Sequence, residues 1–227
     1  MSTFPFLEVL RLGHVPYLSA PFTPWTTTNH LHTLHGGMML ICGQFRYVPL
    51  PALSVIHLHL DPHLPAHFAP NGILALEPLV VDFFTAHGKA IKKIVSRGVL
   101  TFFMKFLGHC DNLHDLMFEI HDDLALEPTD MLNLPQVKRI GILPRAQHSA
   151  RPIVSDDIRP QWFRSYFPAV KVVRLMDKRM FRSEKESILR DWKNGMTHHG
   201  TRLEYPDGNE VSLATTEPTN DQRRYVQ

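Results

Sequence analysis

The sequence predicts an α+β protein with a β-rich N-terminal half, a mixed helical and strand C-terminal half and a disordered C-terminal tail. Nine prolines in the first 70 residues exclude long helices there. Helix-like apolar spacing begins near residue 74. Short apolar segments separated by turn signals then return in the second half. With 227 residues, 44% of them hydrophobic, the chain can bury a sizeable core.

Short strands are the elements predicted for the proline-rich half. The segments 38–48 and 52–60 are apolar enough for strands, and Pro49-Leu50-Pro51 separates them. Asn71-Gly72 then indicates a turn. From 74 to 97 the spacing predicts two short helices or one kinked helix. The segment 99–107 fits a buried strand or a helix, and the acidic segment 111–130 is predicted to begin as a helix.

The second half predicts strands at 137–143 and 170–175. A capping box from Ser183 to Glu186 predicts a helix to residue 193, which Asn194-Gly195 would end. Asp207-Gly208 indicates a hairpin, and residues 215–227 have a disordered composition. We recognise no internal repeat. The expected division is a main α+β domain at 1–150, a basic subdomain at 151–214 and the tail.

Charge is unevenly distributed along the chain, although its formal net charge is only +2. Residues 138–193 hold fourteen Lys and Arg against six Asp and Glu, a local net of +8. This segment fits an acidic partner, nucleic acid included, or a solvated surface of mixed charge. The basic patch proposed for it consists of Lys138, Arg139, Lys171, Arg174, Lys178, Arg179 and Arg182.

The apolar runs and the cysteines of the sequence indicate where the protein is located. The apolar runs are too short to span a bilayer, so no membrane association is expected. Two cysteines, Cys42 and Cys110, give no disulfide framework or thiolate zinc pattern, although one bridge between them stays open. An intracellular protein is the resulting expectation.

A histidine-rich run, His-Leu-His-Leu-Asp-Pro-His at 57–63, is the most direct hint of chemistry. It resembles the His-x-His-x-Asp-His motif of the metallo-β-lactamase fold, except that Pro62 is inserted before the last histidine. That resemblance implies a zinc hydrolase, and the ligands would be His57, His59, Asp61, His63, His109 and Asp130. The alternative is a strand end with clustered imidazoles and no cofactor, because 15 histidines make such a cluster easy to match.

A second motif concerns traffic between compartments. Four apolar residues among acidic ones have the spacing of a nuclear-export peptide, which docks as an amphipathic helix: Leu116, Ile120, Leu124 and Leu126. Basic pairs at Lys92-Lys93 and Lys138-Arg139 are compatible with nuclear import. An ordinary amphipathic core helix explains the same leucines.

Short N-terminal blocks carry a further resemblance. The segment Leu-Gly-His-Val-Pro-Tyr-Leu at 12–18, His35-Gly36 and Ser-Val-Ile-His at 54–57 resemble the start of the small accessory virulence proteins of beet-infecting benyviruses. The resemblance implies a non-enzymatic plant-virus factor that contacts host proteins and moves between the host nucleus and cytoplasm. Because no Gly-x-Ser-x-Gly motif or phosphate-binding loop is present, the sequence itself also favours an interaction protein over an enzyme.

Overall fold

The computed structural model describes residues 6–13, 29–59, 70–97, 106–119, 133–143, 160–177 and 186–212. Eight strands lie in these ranges: β1 (Val9–Arg11), β2 (Thr33–Gly37), β3 (Val55–His59), β4 (Lys93–Arg97), β5 (Asp115–Glu119), β6 (Arg139–Leu143), β7 (Val172–Leu175) and β8 (Arg202–Glu204). The helices are α1 (Met38–Phe45), α2 (Pro70–His87), α3 (Pro160–Tyr166) and α4 (Glu186–His198). Two 3-10 turns, Gly88–Ala90 and Leu107–His109, precede β4 and β5.

All eight strands form one parallel sheet in which spatial order equals sequence order. Every connection therefore returns the chain to the start of the next strand, always in the same direction along the sheet. A doubly wound sheet would instead reverse its strand order at a switch point. The sequential order is that of a solenoid, in which each turn of chain contacts its neighbours.

The two faces of the sheet differ in character because side chains alternate along each strand. One face carries buried apolar residues such as Leu34, Ile56, Leu116, Ile140 and Val173. Apolar residues of the helices belong to the same core cluster, so the helices cover this face; they include Ile41, Val80, Phe83, Phe163 and Trp192. The other residues of each strand lie on the opposite side, which we call the open face.

A repeat unit underlies this arrangement. Each unit has a buried residue in a turn, another three positions later, a third at the start of the strand and a fourth two positions on. Leu50, Leu53, Ile56 and Leu58 form one such unit. Further units are Cys110, Leu113, Leu116 and Phe118; Leu134, Val137, Ile140 and Ile142; and Phe167, Val170, Val173 and Leu175. From the second buried residue of the unit onward, the spacing matches the L-x-x-L-x-L pattern of leucine-rich repeats.

Backbone hydrogen bonds join consecutive units in the same way each time. The carbonyl of His32 accepts the N–H groups of Ser54 and Val55, at 2.9 and 3.0 Å. In the next unit the carbonyl of Ser54, the residue just before β3, accepts the N–H groups of Lys92 and Lys93, at 2.9 and 3.1 Å. The carbonyls of Glu8, Lys92, His114 and Lys138 each accept two N–H groups in the same pattern. The expectation that the chain contains no internal repeat is therefore wrong.

Three predicted elements are wrong, each for an identifiable reason. Residues 38–45 form helix α1, although a strand was predicted, because Met38, Ile41, Cys42 and Phe45 bury one helical face. Residues 93–97 and 115–119 form strands β4 and β5, where helices were predicted. Each of these strands follows a turn whose apolar residues are three apart, so the apolar spacing imitates that of a helix.

Other predicted elements are confirmed. The predicted strands at 52–60, 137–143 and 170–175 contain β3, β6 and β7, and helix α2 covers all of 74–87. The same helix includes Asn71-Gly72, so the turn predicted there is wrong. The aromatic residues Phe163, Tyr166 and Phe167 are buried in the core. A turn containing Gly208, whose φ is +84°, reverses the chain after β8, so that Glu210 pairs with Glu204 in an antiparallel bridge. This pairing confirms the predicted hairpin.

Helix α4 extends past its predicted end. Gly195 lies inside the helix, and the chain leaves it at Gly200, whose φ is +71°. The Gly200 N–H donates to the Thr197 carbonyl and the Thr201 N–H to the Met196 carbonyl, both at 2.9 Å. This hydrogen-bond pair is a Schellman motif, which satisfies carbonyls at a helix C-terminus. The prediction of a stop at Asn194-Gly195 is therefore wrong.

The coarse class, a mixture of helices and strands, is confirmed. Strands β6 and β7 pair directly, so the sheet continues across the predicted boundary near residue 150. The division into domains and halves stays a prediction, and the predicted tail at 215–227 lies outside the described residues. Among the helices that the structure describes, none is both long and apolar enough to cross a membrane.

Candidate partner-binding face

The open face displays its side chains in rows, because parallel strands in register place equivalent residues side by side. The central row runs through the third residue of each strand: Arg11, His35, His57, Val95, Met117, Gly141, Arg174 and Glu204. The outer row lies two residues earlier on each strand: Val9, Thr33, Val55, Lys93, Asp115, Arg139, Val172 and Arg202. Charged, imidazole and apolar groups are thus brought from eight separate segments to one surface.

Three histidines cluster on β2 and β3. The rings of His35 and His57 have centroids 5.1 Å apart, and the His59 ring lies 6.0 Å from that of His35. Burial lowers the pKa of His57, and the charges of His35, Lys93, Arg11 and Arg97 lower it further. His57 is therefore neutral at pH 7, and its neighbours penalise its protonation.

Ion pairs cross between strands in the C-terminal part of the open face. Arg139 on β6 binds both carboxylate oxygens of Asp115 on β5, and its Nη2 donates to Oδ2 at 2.8 Å. Arg174 on β7 donates through Nε and Nη2 to Oε2 of Glu204 on β8, at 3.2 and 2.7 Å. Arg202 contacts the other oxygen of Glu204 at 3.1 Å. These pairs hold the arginine side chains in fixed positions along the rows.

A depression of about 210 Å³ lies at the middle of this charged part. Gly141 leaves space in the central row, between Met117 and Arg174. The Met117 side chain leans over it, because a Cβ atom on Gly141 would stand only 2.7 Å from Met117 Cγ. The lining of what we call the Gly141 depression is completed by Lys93, Asp115, Arg139, Ile140, Val172 and Arg174.

The predicted zinc ligands are only partly described. His57 and His59 share the open face on β3, whereas His109 is exposed in the 3-10 turn before β5. Asp61, His63 and Asp130 lie outside the described residues. Within the described ranges, no group of three or more His, Cys, Asp or Glu side chains is placed to hold a metal ion. The zinc site stays a prediction.

The export-like residues are also divided. Leu116 is fully buried on strand β5, so it does not begin an amphipathic helix. Ile120, Leu124 and Leu126 lie outside the described residues, so the export motif itself stays a prediction.

The basic patch is described at four of its seven residues. Arg139 and Arg174 lie on the open face, whereas Lys138 and Lys171 are exposed in the positions just before β6 and β7. Lys178, Arg179 and Arg182 fall outside the described ranges. Arg139 and Arg174 are each paired with a carboxylate, so the surface around them is mixed in charge.

The cysteines do not supply a reactive thiolate. Cys42 and Cys110 are both free and buried. Burial raises the pKa of each thiol to about 12, and Asp111 adds to the shift at Cys110. Both residues are therefore protonated core residues at neutral pH.

Sequence reasoning missed the rows of the open face. Three units carry a visible signal, since Leu50-Pro51, Leu134-Pro135 and Phe167-Pro168 each precede an apolar residue two positions later. Aligning the chain on these dipeptides brings His57, Gly141 and Arg174 into equivalent positions. The first of these dipeptides also indicates a break between two strands, which hides its place in the repeat unit.

The chain was also compared with known proteins. No protein-family model matches it, and a search of curated proteins finds no match. In the part of the chain that the structure describes, the architecture is that of a parallel-sheet solenoid with helices on one face and rows of mixed polar and apolar side chains on the other.

Proposed function

We propose that this chain is a non-enzymatic interaction protein that binds a partner protein on its open face. The observation that carries the proposal is the eight-stranded parallel sheet in sequential order, with polar and charged rows on one side. Parallel sheets of enzymes are usually covered by helices on both faces, whereas solenoids use an extended uncovered surface for binding.

The size of the open face suits an extended segment of a partner. Eight strands spaced about 4.8 Å apart give rows about 34 Å long, the length of about ten extended residues. The rows offer arginine, methionine and imidazole groups, and arginine and methionine are enriched at protein interfaces. Because backbone ladders and ion pairs already hold these side chains, binding costs little conformational entropy.

The identity of the partner rests on the N-terminal resemblance alone. Under that resemblance the partner is a host protein, and the chain is a plant-virus virulence factor that moves between nucleus and cytoplasm. The repeat unit offers a second explanation for part of the resemblance, because Ser54-Val55-Ile56-His57 supplies a ladder carbonyl and the start of β3. We also keep, as part of the proposal, the predicted β-rich N-terminal half, mixed C-terminal half and disordered C-terminal tail.

A pair of adjacent lysines provides the test. Lys93 lies in the outer row of the open face, whereas Lys92 is exposed one residue before the strand. Lys93→Glu and Lys92→Glu therefore make the same change in charge inside and outside the proposed interface. Affinity capture from cells that express each variant, quantified by mass spectrometry, should show partners lost with Lys93→Glu and retained with Lys92→Glu. Equal recovery with both variants would contradict binding at the open face.

A further inference from the structure

The Gly141 depression has an uncompensated positive charge. Three cations line it, namely Lys93, Arg139 and Arg174, against one lining carboxylate, Asp115. Glu204 contacts Arg174 from the neighbouring strand. Among the described residues, the Lys93 ammonium has no hydrogen bond or ion pair, so its charge is left for a ligand.

Donors also remain on the two arginines. A guanidinium carries five N–H groups. Arg139 donates through Nε and Nη2 to Asp115, and Arg174 donates through the same two nitrogens to Glu204. The Nη1 groups of both are thus outside these pairs, while the pairs hold the guanidinium planes in place. Fixed guanidinium groups beside an ammonium suit a carboxylate or a phosphate.

The floor and size of the depression limit what enters it. Met117, Ile140 and Val172 are its apolar lining residues, and they suit the aliphatic part of a side chain. Its volume of about 210 Å³ is below that of pockets for drug-sized ligands, which begin near ~300 Å³. One side chain of a bound segment therefore fits the space better than a separate small molecule.

We infer that the Gly141 depression binds an anionic side chain of the partner, either a carboxylate or a phosphate, through Lys93, Arg139 and Arg174. This inference rests on the proposed function, because it assigns the chemistry of the partner at one point of the open face. Gly141 has no Cβ, and this lets the Met117 side chain lie over the floor of the depression.

Small probes test the inference without the partner. Purified chain is titrated with N-acetyl-glutamate amide, N-acetyl-phosphoserine amide and the neutral control N-acetyl-glutamine amide, and NMR follows the Gly141 amide and the Met117 methyl group. We expect shifts with both anions and none with the glutamine probe. A larger shift with phosphoserine at equal concentration assigns a phosphorylated partner, and similar shifts assign an acidic one. Both results support anion binding.

Matched variants locate the site. Lys93→Gln should weaken binding of the anions by about tenfold, the effect of losing one charge-assisted hydrogen bond. Lys92→Gln should leave it unchanged, and thermal unfolding confirms that both variants fold. Gly141→Ala, which pushes Met117 aside, should weaken binding while keeping every charge. Shifts absent with both anions, or weakened equally by Lys92→Gln, would overturn the inference.

This test is separable from that of the proposed function. If the anions fail to bind while capture still depends on Lys93, the open face binds its partner by other contacts and only the inference fails. If the anions bind but capture is unaffected by Lys93→Glu, the depression is an anion site and the proposed function fails.

Discussion

His35 and His57 face each other across the β2–β3 pair, and their ring centroids are 5.1 Å apart. The pairing follows from the register of the solenoid, because both residues occupy the same position of neighbouring units. The charge of His35, when present, opposes protonation of His57 and lowers its pKa. The open face therefore contains a group whose charge state is linked to folding.

Acid is expected to destabilise the fold through His57 and His87. Burial lowers the pKa of His57 and His87 from an ordinary value of 6.5, although donation from His87 Nε2 to the Phe45 carbonyl partly offsets the shift. The unfolded chain then takes up protons below that pH which the folded chain does not bind. Stability is therefore intact above 6.5 and falls as the pH drops below it.

Thermal unfolding at pH 7.5 and 5.5, two values about one unit either side of the ordinary histidine pKa, measures this effect. We expect a lower midpoint at the acidic pH and a smaller difference in His57→Gln. His32→Gln serves as the control, because His32 is exposed. An acid effect of the same size in His57→Gln and the unaltered protein would show that His57 does not contribute.

The two faces of β5 should respond differently to truncation. Phe118 is fully buried against the helices, whereas its neighbour Met117 is half-buried on the open face. Phe118→Ala should lower the free energy of unfolding by ~3–5 kcal/mol, since it removes a large core side chain. Met117→Ala should cost less than half as much. Urea denaturation measures both values, and similar losses would contradict the assignment of the faces.

Two glycines near the end of α4 should give opposite results. Gly200→Ala places a Cβ at a φ of +71° and should destabilise the chain by ~1–2 kcal/mol. Gly195→Ala lies inside the helix and should stabilise it by ~0.5–1 kcal/mol. The free energy of unfolding of each variant decides the matter. If only Gly195→Ala lowered the free energy of unfolding, the helix would end at Asn194-Gly195, as the sequence predicts, and the structural assignment would be contradicted.

The sequence predicts some strands correctly from their own apolar residues. It misses the strands whose preceding turn adds apolar residues at a helix-like spacing. Val170, Val173 and Leu175 lie in a short segment rich in β-branched residues, which only Lys171 and Arg174 interrupt, so β7 is predicted correctly. Before β4, Ile91 and Ile94 are three residues apart because one ends a turn and the other lies in the strand. A helix has the same local spacing, so periodicity alone cannot separate the two.

The candidate site is harder to predict than the fold for a different physical reason. Its residues come from eight segments whose first positions are 22 to 38 residues apart, an irregular spacing that hides the repeat. Open-face positions need no particular residue type for folding. His57, Gly141 and Arg174 therefore share a position without sharing chemistry, and only the strand register brings them into one row.

Site-specific photo-crosslinking tests the partner-binding role of the open face most directly. A benzophenone amino acid placed at Thr33 or Val55 faces the partner, whereas the same group at His32 precedes the strand and at Thr85 lies exposed on α2. On irradiation in cells, we predict adducts of defined mass from positions 33 and 55 and none from 32 and 85. Adducts confined to position 85, or formed equally at all four positions, would contradict the account.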